Sequence, residues 1–268
     1  MAWDGAAPGW TRQHELIATA SRPVTERLLE LLDAQPGERI LELGAGLGEV
    51  SELLKPVVGD AGEIVLTDNS PGMLRAAEER LGRSGNVTFA IANAESTDFE
   101  DSSFDRVVAR FALMLAPDVA AAFAEARRVL RLGGRLAFAV WSSAPENPWG
   151  STIGRTMLRL GLSEPPEPDA PGPFRLGDPE RLRSLLASSG FDPPQLDAVD
   201  IEMRYESPAH YWEVTKDLSS MLRTTLERLS EPERERFESA VTEAVEPYTD
   251  GDGVSLPGRA WVAAADGA

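Results

Sequence analysis

The chain has no cysteine in its 268 residues. Disulfides and thiolate chemistry are therefore excluded. Histidine is nearly missing too, since His14 and His210 are the only two. No metal site is expected. Long apolar runs are also lacking. None approaches the roughly 18 to 20 residues of a membrane span, so no membrane insertion is expected. The amino-terminal stretch MAWDGAAPGW carries neither the basic region nor the apolar core of a signal peptide. A cytoplasmic location is the expectation. Positive charge is scarce: 26 Lys and Arg stand against 44 Asp and Glu, a net charge of −18. Such a field repels a phosphate backbone, which ranks nucleic acid low as a partner. What the chain does have is 42% hydrophobic residues, enough for one large α/β domain with a cap.

The most informative stretch is RILELGAGLGE, from Arg39 to Glu49. It reads as a short buried strand, Arg39–Leu43, entering a glycine-rich turn, with a helix from about Gly48 to Pro56. Gly44, Gly46 and Gly48 lack a Cβ at the carboxyl end of that strand. The turn needs this freedom, and so does a ligand that approaches the backbone closely. The helix behind offers unpaired N–H groups and a positive dipole end. A dinucleotide fingerprint requires a third glycine at position 49, where Glu49 would repel a pyrophosphate. A phosphate-cradling P-loop requires a lysine, which the turn lacks. What remains is an acid followed by G-x-G-x-G: Glu42, Gly44, Gly46 and Gly48, with Ala45 between. That form suits a cofactor with no phosphate and an ammonium to neutralise. It resembles the first motif of class I S-adenosylmethionine (SAM)-dependent methyltransferases.

Further strand ends fall into step. A second strand, Glu63–Thr67, ends at Asp68-Asn69, and Asp68 is positioned to accept from ribose hydroxyls. Ser70-Pro71 supplies the cap and first residue of the next helix. Met73 on its first turn reads equally as an adenine contact or as core. A third strand, 86–92, leads to Asn93-Ala94-Glu95, where the amide of Asn93 and the N–H of Ala94 match an adenine edge. A fourth, 104–109, leads to Arg110-Phe111, and a fifth spans 135–140. Strands alternating with helices predict a doubly wound parallel sheet with ligands beyond the carboxyl ends.

LELGAGLGE, TDNSPGML, ANAESTDF, SFDRVVARFALM and EARRVLRLGGRLAFAVW are similar to successive motifs of the ubiquinone/menaquinone-biosynthesis methyltransferases. The resemblance covers roughly residues 38–141. It implies a Rossmann-like seven-stranded sheet whose last strand is antiparallel, and SAM as cofactor with S-adenosylhomocysteine as product. It places Glu42 to Gly48 at the methionine portion, Asp68 at the ribose, and Asn93 and Ala94 at the adenine, with Asn69 and Glu95 among the cofactor-binding residues. Arg110 falls at the family's contact after the fourth strand. The family often has Asp where this chain has Asn93, which makes that contact neutral.

The domain plan follows. Residues 1–35 form an arm and lid helices, with helices expected from Thr11 to Thr19 and from Arg22 to Ala34. Residues 36–141 are the SAM-binding core. Residues 142–178 form a Pro/Gly-rich loop, Pro168 included, around a short helix from about 149 to 161. Residues 179–205 supply a core helix and the sixth strand, 195–205. Residues 206–250 are a helical insertion, read as one helix from Pro208 to Leu229 and another from Ser230 to near Pro247. Residues 251–268 hold the last strand, 259–265. The insertion's apolar face (Tyr211, Val214, Leu218, Met221, Leu222, Leu226, Leu229) must bury over the site as a lid or in a dimer interface. A monomer or homodimer is therefore expected. Asn147-Pro148-Trp149 resembles an amino-methylating DNA motif but follows the wrong strand. Trp10, Phe111, Trp141, Trp149 and Trp212 point to a small apolar or aromatic acceptor. His14 or His210 is available as a general base, with an ordinary surface histidine as the alternative for each. The expected activity is methyl transfer to a small molecule. The alternatives are a SAM-binding regulator or scaffold without turnover and, weakened by Glu49, a nicotinamide oxidoreductase.

Overall fold

The computed structural model describes residues 3–82, 85–167, 169–251 and 253–267, so Pro168 lies outside the described residues. Its centre is a seven-stranded sheet in the order β3-β2-β1-β4-β5-β7-β6. The strands are β1 (Arg39–Leu43), β2 (Glu63–Asp68), β3 (Val87–Ile91), β4 (Phe104–Arg110), β5 (Leu130–Trp141), β6 (Gln195–Tyr205) and β7 (Val254–Asp266). β1 to β5 pair in parallel, and β7 is antiparallel to both β5 and β6. The central strands are apolar on both faces: Ile40, Leu41, Ile64, Val107 and Val108 are all buried. That pattern belongs to a sheet covered on both sides by helices. The winding reverses at the β1/β4 pair, so the crevice opens where the glycine turn leaves β1.

The helices are α1 (Ala7–Arg12), α2 (His14–Leu32), α3 (Glu49–Val58), α4 (Pro71–Leu81), α5 (Val119–Val129), α6 (Pro148–Arg159) and α7 (Pro179–Ser188). The insertion holds α8 (Pro208–Leu218), α9 (Ser220–Arg228) and α10 (Glu231–Val245). Side-chain caps start several of them. Ser70 accepts from the Met73 N–H, Asp118 from Ala121 and Asp178 from Glu180.

Several elements differ from expectation, among them β5, which begins at Leu130 rather than at 135. The two expected amino-terminal helices are one, α2, which runs through Pro23. Proline removes one helical hydrogen bond. The apolar face formed by Val24, Leu28, Leu31 and Leu32 is fully committed to the core, and that packing carries the helix across the defect. The long helix expected from Pro208 is two. Ser219 is extended and its hydroxyl accepts from the Leu222 N–H, capping α9. The turn carries Met221 out to 53% exposure, off the apolar face assigned to it. β7 begins five residues early, at Val254, and runs through Pro257. Up to Pro257 it pairs only with β6, since pairing to β5 begins at Ala260. The missing proline donor therefore faces an open edge.

The insertion buries its apolar face within the chain. Tyr211, Trp212, Phe237 and Val241 are at most 2% exposed. α8 packs on α1, and α10 packs on α6. Asn147 is fully buried beside them. Its amide nitrogen donates to Ser142 Oγ and to the carbonyls of Ser143 and Arg259 at 3.0–3.1 Å. Its oxygen accepts from the Arg259 N–H and from Trp149 Nε1, both at 3.0 Å. No valence is left for a substrate, so the Asn-Pro-Trp stretch is a structural joint. Asn147→Ala strands buried partners at about 1 to 3 kcal/mol each. It is expected to lower unfolding free energy by roughly 2 to 4 kcal/mol in urea titrations, with unchanged helical circular dichroism. A loss below about 0.5 kcal/mol would refute this joint role.

Candidate functional site

The glycine turn is fixed from two sides. Gly44 has φ +65°, and a Cβ there would lie 2.4 Å from the Ala112 Cβ. The loop after β4 thus packs directly on the turn. Gly46 has φ +56°, but a Cβ there would meet nothing within 4 Å. Its conformation favours glycine, and the space in front of it is open. Ala45 donates its N–H to the Thr67 carbonyl at 2.8 Å, tying the turn to β2, and Gly48 caps α3.

Carboxylates surround this cradle. Asp68 is 9% exposed and accepts from the Gly46 N–H at 3.0 Å and the Ser70 N–H at 2.9 Å. Burial raises its pKa, while those two N–H groups and that of Asn69 oppose the shift. Glu42 is 2% exposed and accepts from both the N–H and the hydroxyl of Ser51 on α3. Asp4 accepts from Ser70 Oγ at 2.7 Å and the Gly72 N–H at 2.8 Å, so the arm sits on the first turn of α4.

Glu49 forms a junction that its sequence neighbourhood does not announce. One carboxylate oxygen meets the Arg110 guanidinium, and the other lies 3.0 Å from His14 Nε2. Arg110 also donates to Ser21 Oγ at 3.0 Å and Thr25 Oγ1 at 2.7 Å on α2. Its side chain is thereby turned toward α2 and α3. Burial lowers the Arg110 pKa to about 10, which leaves it a cation at neutral pH. Burial, then Arg80 and Arg110, hold His14 below 6.5. Glu52 and Glu15 oppose this shift without overcoming it.

The remaining expected residues divide. Asn93 is exposed at the end of β3, with Ala94 and Glu95 half-buried after it. Met73 is 3% exposed and packs with Ala6, Ala7 and Leu47, while Trp3 and Trp10 lie against the same cluster. Trp10 Nε1 donates to the Leu218 carbonyl at 3.2 Å. Phe111, Trp141 and Trp149 come together in one aromatic group at the ends of β4 and β5. Trp212 does not join them. It is 2% exposed and fills the α8–α10 interface against Phe237, because its helical face points into the insertion. His210 is also apart. Its Nδ1 accepts from the Glu206 N–H at 3.1 Å, and it lines a groove of about 630 Å³ with Arg12, Leu16, Ala20 and Arg204. That groove lies on the face of α2 opposite Ser21 and Thr25, away from the glycine turn. Asp4, Ser21, Thr25 and Ser51 carried no signal as single residues, since each acts through a partner far along the chain or across a turn.

Sheet order, a strand-end crevice and a glycine cradle ringed by acids define a class I SAM-dependent methyltransferase architecture. Residues 41–138 match the family model described as a methyltransferase domain. Within that class, the core is similar in sequence to the ubiquinone/menaquinone-biosynthesis methyltransferases. The C-methyltransferase of that name from Shewanella halifaxensis is 37% identical over 111 residues, 40% of this chain and 44% of that protein. The chain thus matches less than half the length of such curated relatives. A candidate methyltransferase of Bacillus halodurans superposes with a TM-score of 0.61 at 19% identity, covering 90% of this chain and 97% of that one. A phosphoethanolamine N-methyltransferase of Haemonchus contortus, solved in complex with SAM, gives 0.55 at 18% identity, covering 91% and 53%. At these identities the structural likeness is one of fold.

Burial raises the Glu42 carboxyl from 4.5 to about 7, against the Ser51 hydrogen bonds and the Arg110 charge. The native state therefore holds this proton more tightly than the unfolded chain between those values. The stability it contributes is present below pH 4.5 and is lost as pH rises to about 7. Glu42→Gln removes the titration. Relative to the parent, the variant is expected to gain on the order of 3 kcal/mol between pH 4.5 and pH 8. Urea unfolding at the two pH values measures it, and an unchanging difference would mean the carboxylate is ionised throughout.

Proposed function

We propose that the protein is a SAM-dependent methyltransferase acting on a small apolar or aromatic acceptor. The observation that carries this reading is Gly46: a left-handed glycine, braced by Asp68, facing empty space at the β1/β4 switch point. The residues fit the cofactor's chemistry. Acids ring the cradle, no lysine or arginine lies within the turn, and a sulfonium with an ammonium is the complementary charge. The relatives named as C-methyltransferases and the SAM-bound structural neighbour support it.

In this reading Glu42 to Gly48 shape the methionine portion of the site, Asp68 and Asn69 accept from the ribose, and Asn93 and Ala94 meet the adenine edge, with Glu95 beside them. When bound, SAM supplies an electrophilic methyl on a cationic sulfur. The chain's own task is alignment and exclusion of water. Phe111, Trp141 and Trp149 stand on the acceptor side of the site. Arg110, held by Glu49, Ser21 and Thr25, fixes the end of β4 relative to α2. Where the acceptor must lose a proton, His14 is the better placed base: it adjoins the turn through Glu49, whereas His210 lines a separate groove. Residues 1–20 and 206–250 act as the lid. The arm already rests on Leu47 and Met73 and is tied to α8 by Trp10. Hydrogen exchange in both segments is expected to slow when S-adenosylhomocysteine and acceptor bind.

Isothermal titration with SAM and NAD tests the cofactor. SAM is expected to bind and NAD not; the reverse would sink the proposal. Asp68→Ala is expected to weaken SAM by about 1 to 3 kcal/mol, the scale of hydrogen bonds to a charged group. Gly46→Val is expected to abolish binding in a folded protein, since the branched side chain fills the cradle and resists φ > 0. Normal binding by the valine variant would reduce the turn to a structural one. SAM binding without turnover on any hydroxyarene would favour a SAM-dependent regulator instead.

A further inference from the structure

Resting on that reading, we infer that Phe111 is a placeholder: its ring occupies the face of Trp141 that a planar acceptor takes, and it must swing away for the acceptor to stack. Phe111 and Trp141 are parallel, with centroids 3.8 Å apart and planes within 7°. Aromatic pairs prefer offset-stacked or edge-to-face arrangements. The neighbouring pairs obey that preference. Trp141 meets Trp149 at 61°, and Phe123 meets Phe138 at 68°. The Phe111–Trp141 pair is instead stacked face to face, a good imitation of a bound planar molecule on Trp141.

The backbone points the same way. Phe111 has φ +57°, a left-handed conformation unfavourable for a bulky residue. Strain of this kind persists only where the surroundings impose it, and it gathers at binding sites. Here Arg110 is clamped by Glu49, Ser21 and Thr25, and Ala112 is pressed on Gly44. Phe111 donates its own N–H to the Ala139 carbonyl at 2.8 Å, so its backbone is held and the side chain is the part left to turn. The other two aromatics are not free to do so. Trp149 is pinned through Nε1 to Asn147, and Trp141 is an 8%-exposed member of β5. Phe111 is half-buried, so its ring has solvent to move into.

Phe111 thus sets acceptor specificity by competition. Rings thick or bent enough to stack poorly on Trp141 do not displace it, while flat ones do. The acceptor's gain from stacking is reduced by the loss of the internal stack.

The test uses the full chain, S-adenosylhomocysteine and 2-naphthol as a planar probe, with cyclohexanol as the bent control. Binding of each is titrated to the parent protein, Phe111→Gly and Phe111→Leu. Phe111→Gly removes the competing ring and relieves the positive φ. It is expected to bind 2-naphthol at least fivefold more tightly and to change cyclohexanol affinity less than twofold. Phe111→Leu, which keeps the φ cost and cannot stack, is expected to fall between the parent and the glycine variant. Weaker or equal 2-naphthol binding by Phe111→Gly overturns the inference, because Phe111 would then be a wall of the acceptor site or irrelevant to it. Failure of the parent to bind 2-naphthol at millimolar concentration overturns it as well. S-adenosylhomocysteine titrated alone separates this from the proposed function: if it does not bind the parent, the methyltransferase reading fails. If it binds all three proteins within twofold, only the placeholder is at issue. Thermal unfolding of the variants guards against loss of fold.

Discussion

The contact between Ala112 and Gly44 leaves no room for a Cβ on the turn side. It joins the end of β4 to the end of β1 at the point where the winding reverses. Much of the site depends on it. Because Ala112 is seated, Arg110 two residues earlier reaches back to Glu49 and α2, and Phe111 between them is left with a positive φ. Three consecutive residues therefore face three neighbours: a helix pair, an aromatic group and a glycine turn. Few other segments of the chain tie so many parts of the crevice together.

Charge follows the same economy. The chain is strongly acidic, yet a largely buried cation, Arg110, stands beneath the turn. It neutralises Glu49 and lies near Glu42, which burial holds partly protonated at neutral pH. Asp68 is left at the front, bonded to the backbone of the turn itself. A buried ion pair is weak evidence for stability but strongly resists being broken, since either member alone would be a desolvated charge. The pair is thus better understood as a spacer of fixed geometry than as a source of affinity.

Much of this was legible in the sequence. β1 and β6 have the bounds read from their residues, and Ser70, Asp178 and the Ser230–Glu233 capping box start helices as their chemistry requires. These signals are local, so a one-dimensional reading captures them. Pro23 and Ser219 misled for opposite reasons. In one case core packing overrode a breaker. In the other an apolar period concealed a cap. The junction of His14, Glu49 and Arg110 was out of reach, because residues on α2, α3 and β4 share no pattern until the sheet assembles them. Trp212 shows the converse. An aromatic in the right region says nothing of the direction it faces until its helix has a partner.

The dock of α1 on α8 has a further meaning for how the molecule forms. Arg12 and Asp217 are 205 residues apart, and the arm between Gly9 and Gln13 touches α8 through that aspartate, an indole hydrogen bond and close backbone approach. Contacts that close so long a loop form late, after loop-closure entropy has been met by the sheet. Arg12 is 60% exposed, so its ion pair is well screened and contributes little. The joint is therefore late to assemble and early to loosen. For the lid proposed above, opening and undoing the final step of folding would be the same motion, and the core beneath need not register either.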